Sequence, residues 1–354
     1  MEESSKISAS QLFLLLFLSR AFSLAAYSPA VQGDGERITL FTTLLSGLLQ
    51  YLLLTAGLFL CKRRAGFSPL LVPESSLYRL QSGLYWLCAM AVCVYTAVNF
   101  IAFATDAVYD RRYGWVVAAT FLAAGALAVS QGLEGLARGG GILAALLGLG
   151  CAVIALGLWE QYDWLNLTFR FFGPEDTLAG VWQGFAMNGE LFALLLLLPY
   201  LRKAPGPLAC AGWVGGITLA SLAVQLMTML TLGSYGARKT FPVFTAVTSA
   251  GFRTFQRLDP VFLVIWVALG LVKLAVFLGL ASSLAPKVFL RPWSAAWAWA
   301  NGGIGLALAL LLWNGPGKWR QGFYLVLSAG VLTLLGVLLL PLAGKLWEKG
   351  EKRK

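Results

Sequence analysis

Histidine is absent from the 354-residue chain. That excludes His-based acid–base catalysis, His–Cys nucleophile pairs and nearly all common zinc sites. Charge is scarce: Asp, Glu, Lys and Arg make up 12% of the residues, against about 25% in an ordinary soluble domain. The five cysteines, Cys61, Cys88, Cys93, Cys151 and Cys210, contain no Cys-x-x-Cys pair and mostly sit in apolar runs. They read as buried free thiols. No segment has the composition of a separate soluble domain, so residues 1–354 read as one polytopic membrane domain.

What remains is hydrophobic: 58% of the chain. Long stretches are apolar all the way round, the mark of helices facing lipid or deeply buried. About 20 such residues cross roughly 30 Å of hydrocarbon. The pattern predicts an all-α integral membrane protein with about ten spans, at 11–30, 38–60, 80–104, 114–130, 140–158, 178–201, 208–232, 260–284, 294–313 and 322–342. The first could be mistaken for a signal peptide, but two acids precede it, Lys6 is the lone base before it and Arg20 interrupts it. It is read as a retained span.

Two connections are long. Residues 159–177 are acidic and aromatic, with Trp164, Phe171 and Phe172 suited to the membrane interface. Residues 233–259 are basic and are expected to hold a short surface helix. Asn166-Leu167-Thr168 matches a glycosylation acceptor, a pattern common by chance.

The net charge of +11 does not imply nucleic acid, because the basic residues are scattered through loops. With both termini cytoplasmic, fifteen Lys/Arg fall on that side and ten on the other, the bias expected of cytoplasmic loops. The basic tail from Lys345 suits an anchor at the headgroups.

Three ionisable residues lie near mid-span: Arg20 in the first, Glu190 in the sixth and Lys273 in the eighth. At ~1.5 Å per residue each is about 15 Å from the nearer helix end, too deep to snorkel. Each charge costs at least ~2.5 kcal/mol there. One reading is a buried ion pair that fixes helix packing. The other is a polar ligand site, because polar residues gather around the charges: Ser19 and Ser23 beside Arg20, Asn188 and Gly189 before Glu190, and Tyr95 with Asn99 one turn apart on the third span. Which cation pairs with Glu190 stays open at this stage.

Asn188-Gly189 is a poor helix interior, since Gly alone costs about 1 kcal/mol, and it predicts a break in the sixth helix. Breaks at membrane depth survive where the freed backbone lines a cavity or contacts protein. Spans one and six are equivalent in a five-plus-five inverted repeat, and both carry a charge and a candidate interruption. That pairing points to a transporter-type site.

The chain resembles the permease-like B subunit of endospore germinant receptors, the GerAB-type spore germination proteins. Four features carry the resemblance: the opening Lys6-Ile7-Ser8 with Gln11; the leucine-rich exit Leu195–Tyr200 with Pro199-Tyr200; the loop from Phe241-Pro242 to Arg257-Leu258-Asp259; and the later Trp266 and Lys273. Length and span number fit over essentially the whole chain. Ser19-Arg20-Ala21 and Gly33-Asp34-Gly35-Glu36 depart from the family pattern in the first helix and at the start of the second.

The resemblance implies a LeuT-like fold of the amino acid/polyamine/organocation superfamily, with helices 1 and 6 broken and spans one, three, six and eight around a central site. It implies a small nutrient ligand such as an amino acid, A and C receptor subunits as partners, and the spore inner membrane as location. The expected ligand-binding residues are Ser19, Arg20, Ser23, Tyr95, Asn99, Asn188, Gly189, Glu190 and Lys273, with no cofactor, no metal and no nucleic acid. A stand-alone amino-acid transporter would use the same residues. A membrane-embedded enzyme is disfavoured by the missing histidine and the lack of an Asp/Glu/Ser cluster at a membrane face.

Overall fold

A computed structural model describes residues 7–26, 38–61, 68–71, 73, 77–167, 173–251, 258–292 and 294–351. Among these residues, nine helices are long and apolar enough to cross a membrane, and Ala9–Ala25 is a shorter apolar helix. Together they make the ten expected spans.

The first span, Ala9–Ala25, begins at a capping box. The Gln11 amide donates to Ser8 Oγ and the Ser8 amide donates to Gln11 Oε1, which satisfies amides that a helix start otherwise leaves open. The helix runs unbroken through Ser19-Arg20-Ala21. The interruption expected there is therefore not at these residues. The segment contains no Gly, Pro or Asn, and its leucines and phenylalanines hold helical geometry. Residues 27–30 of the expected span lie outside the described residues.

The third span, Tyr78–Ala107, and the eighth, Asp259–Phe289, form the buried centre of the bundle and pack along each other. The first span lies against the fifth (Gly132–Gly157), the seventh (Pro207–Leu232) and the eighth. The indole of Trp266 locks three of these helices together, stacking on Phe100 at 4.6 Å and packing against Phe22 and Phe103. Fifth, seventh and ninth spans keep most of their surface outward, as lipid-facing helices do.

The sixth span is two helices, Pro174–Ala186 and Glu190–Leu197, separated by Met187-Asn188-Gly189. The break falls at the Asn-Gly pair. The tenth span is also interrupted, which the sequence pattern did not predict. It runs Gly317–Ser328, turns at Ala329-Gly330, and continues as Val331–Leu334, a π-helical turn Leu335–Leu339 and Leu340–Glu351. Gly330 has φ +71°, a left-handed conformation that suits glycine.

The short helix expected between spans seven and eight is Pro242–Ser249. It does not simply lie on the surface: Val243, Ala246 and Val247 are buried, and Phe241 and Phe244 pack edge-on against Phe103. Trp164 is exposed as expected, whereas Phe171 and Phe172 lie outside the described residues. Four of the cysteines are buried and Cys151 is exposed on the fifth span, because that helix turns this face away from the bundle.

Candidate functional site

The break in the sixth span creates two opposed helix ends inside the protein. The last carbonyls of the first half carry partial negative charge, and the first amides of the second half carry partial positive charge. Arg20 answers the first end: its Nη1 donates to the Met187 carbonyl at 2.6 Å. Glu190 answers the second, as the first residue of the half-helix Glu190–Leu197. The charges that looked costly in sequence are thus placed where the broken backbone needs them.

Glu190 is fully buried, and Lys273 is 1% exposed. Lys273 Nζ donates to Glu190 Oε1 at 2.5 Å, and Ser19 Oγ donates to the same oxygen at 2.7 Å. The question left open by the sequence is settled: Lys273 is the ion-pair partner of Glu190, and Arg20 binds backbone. Arg20 still feels the charges of Glu190 and Lys273. Spans one, six and eight therefore meet at one point.

Asn188, buried in the break, donates from Nδ2 to Gln50 Oε1 at 2.7 Å. Gln50, on the second span (Leu40–Cys61), donates in turn to the Gly184 carbonyl and to Ser46 Oγ. Gly189 is packed so that an added Cβ would meet Val92, Phe192 and Phe277 at 3.2–3.5 Å.

Tyr95 and Asn99 sit on the third span and are tied to the tenth rather than to Glu190. Tyr324 hydroxyl donates to Asn99 Oδ1 at 2.8 Å, and its ring meets Tyr95 edge-on. The tenth span also braces the break directly, with Thr333 Oγ1 donating to the Ala186 carbonyl at 2.6 Å and Trp182 Nε1 to the Ala329 carbonyl. Gln50, Tyr324 and Thr333 were missed in sequence. Gln50 had a legible signal, as a lone amide inside a leucine-rich run. Tyr324 and Thr333 had none until the tenth span was seen to bend.

Not every polar atom here is satisfied. Glu190 Oε2, Asn188 Oδ1, Arg20 Nε, Asn99 Nδ2 and the Ser23 hydroxyl are buried without a partner among the described residues. Such atoms are uncommon in folded proteins and each calls for an explanation. No three His, Cys, Asp or Glu side chains gather as metal ligands among the described residues.

No curated protein matches the chain by sequence. A solved structure, that of a mutant of the Eremococcus coleocola manganese transporter, superposes with TM-score 0.55 at 12% identity, covering 95% of this chain and 79% of that one. It supports the LeuT-like, all-helical transporter architecture. A family model described as spore germination protein, spore permease, matches residues 76–296. Well over half of the chain lies within that match, so this integral membrane, permease-type protein belongs to the spore germination permease family and is not an enzyme.

Proposed function

We propose that the chain is the permease-like subunit of a germinant receptor and senses an amino acid at the break of the sixth span. The observation that carries this reading is the set of unpartnered buried atoms. Two are acceptors, Glu190 Oε2 and Asn188 Oδ1, and two are amide or guanidinium donors, Arg20 Nε and Asn99 Nδ2. A zwitterion supplies what each lacks: ammonium protons for the acceptors and a carboxylate for the donors. Arg20 is the natural carboxylate partner.

The manganese named for the structural neighbour is not the expected cargo. Among the described residues no group of three His, Cys, Asp or Glu side chains could hold a metal ion, and one oxygen of Glu190 is already taken by Lys273 and Ser19. Ligand binding would favour one of two arrangements of the broken helices, and the difference in affinity sets the size of the signal. The partners would be the A and C receptor subunits, the membrane the spore inner membrane, and both termini would face the cytoplasm.

Binding by the purified chain tests the proposal, read as thermal stabilisation by a panel of amino acids, each beside its decarboxylated amine and its deaminated acid. Stabilisation by the zwitterion and by neither analogue supports it. An equal response to the bare amine would show that Arg20 holds no carboxylate. A second reading, net transport by the chain alone, draws on the transporter-like fold. Uptake into vesicles that contain no partner subunit would favour that reading over sensing.

A further inference from the structure

Near the ends of the sixth and eighth spans lies a cavity of about 160 Å³. Ser68, Pro199, Tyr200, Ser283 and Lys287 contribute to its wall. It is a separate place from the mid-membrane cluster: Lys287 lies fourteen residues beyond Lys273 on the same helix, roughly 21 Å along the axis at ~1.5 Å per residue.

The lining is chemically one-sided. Lys287 is its single charged residue, and no acid is among the lining residues. Half-buried Lys287 makes no hydrogen bond or ion pair with any described residue, whereas the other lysine of this helix is fully paired. The Ser68 and Tyr200 hydroxyls also line the wall, whereas the Ser283 hydroxyl already donates to the Leu280 carbonyl. Arg79 reaches the adjacent Val288 carbonyl and adds positive charge beside the rim. Pro199 is exposed, so the cavity opens at the protein surface near the ends of the sixth and eighth spans. A cavity of about 150 Å³ accommodates a benzene-sized group, so a phosphate group fits.

We propose that this cavity binds a phosphate group, from an anionic lipid headgroup or as free inorganic phosphate, with the Lys287 ammonium as its charged anchor and the Ser68 and Tyr200 hydroxyls as hydrogen-bond donors. Tyr200 ties the site to the rest of the bundle. Its carbonyl accepts the Ile7 amide, and the Arg202 amide donates to the Ile7 carbonyl, so the lip of the cavity is hydrogen-bonded to the start of the first span. A bound phosphate would bridge the ends of the sixth and eighth helices, the two joined at mid-depth by Glu190 and Lys273. The inference does not depend on what binds at mid-membrane.

The test uses the full chain in nanodiscs of phosphatidylcholine, with and without phosphatidylglycerol, and in phosphatidylcholine with inorganic phosphate titrated in. Thermal stability and the number of retained phosphatidylglycerol molecules, counted by native mass spectrometry, are the readouts. Stabilisation by phosphatidylglycerol identifies the lipid as the source, and stabilisation by inorganic phosphate identifies the free ion. In either case Lys287→Gln should weaken the response by at least about tenfold in affinity, or about 1.4 kcal/mol. Lys345→Gln, a basic change at the same end but outside the cavity, should leave it intact. Ser283→Leu, which fills the cavity without touching the charge, should abolish it and serves if Lys287→Gln fails to fold. The proposal is overturned if neither source stabilises the wild type, or if Lys287→Gln and Ser283→Leu respond as the wild type does.

Discussion

Lys273 and Glu190 join the eighth helix to the start of the second half of the sixth through one 2.5 Å contact that is closed to solvent. Removing one member of such a pair leaves an uncompensated buried charge, which costs about 3–5 kcal/mol. Glu190→Gln and Lys273→Met should each destabilise the protein by that order. The double variant Glu190→Gln/Lys273→Met should recover most of the loss, because the pair is removed as a unit and the remaining buried cation, Arg20, keeps its bond to the Met187 carbonyl. Denaturant unfolding of the four proteins in detergent gives the coupling energy. Additive losses would show that the two side chains do not act as a pair.

The link between the second span and the break makes a similar prediction of smaller size. Gln50→Leu takes the acceptor from Asn188 Nδ2 in a site where Asn188 Oδ1 is already unpartnered. A buried amide left unsatisfied costs about 1–3 kcal/mol. Melting of Gln50→Leu should fall accordingly, and Gln50→Leu/Asn188→Leu should melt higher than Gln50→Leu alone.

The tenth-span turn is tested by glycine substitution. At Gly330 a Cβ would sit 2.9–3.0 Å from the Trp182 indole, and the left-handed φ costs a side chain roughly 1–2 kcal/mol. Gly330→Ala should therefore lower stability by more than about 1 kcal/mol. Gly322→Ala, within the helix Gly317–Ser328 and with open space around its Cβ, should be neutral or stabilising by up to about 1 kcal/mol. Equal melting shifts for the two would mean that the turn does not need its glycine.

Tyr324→Phe keeps the ring against Tyr95 and removes only the hydroxyl that donates to Asn99. If Asn99 is held to present its amide to a ligand, amino-acid affinity should drop by roughly tenfold, about 1.4 kcal/mol, with the melting temperature of the free protein changed less. A melting loss with unchanged affinity would assign Tyr324 to packing alone.

The ten spans were legible because lipid demands long apolar runs whatever the fold. Two charge positions were legible for the complementary reason: a charge at Glu190 or Lys273 survives at that depth only with a partner. The break in the sixth span was readable because Asn188-Gly189 is a weak helix interior. The tenth-span break at Ala329-Gly330 rests on one glycine in a chain with 39 of them, and its necessity shows only through the contact with Trp182. An interruption at Ser19-Arg20 was expected from symmetry with the sixth span. The local sequence is a sound helix with a capped start, and local preference prevailed. Gln50, Tyr324 and Thr333 act through partners more than 130 residues away, a relationship no local pattern encodes.

The central claim is that the polar cluster at the break receives an amino acid and is not a packing device alone. The compensated variant Glu190→Gln/Lys273→Met tests it most directly, because it removes the ion pair while keeping the fold. Calorimetric binding of the amino acid that best stabilises the wild type would be measured on both proteins, alone and with their receptor partners. The account predicts saturable binding to the wild type and at least about tenfold weaker binding, 1.4 kcal/mol, to the folded double variant. Equal affinity for both proteins would contradict it and leave Glu190 and Lys273 as a structural pair.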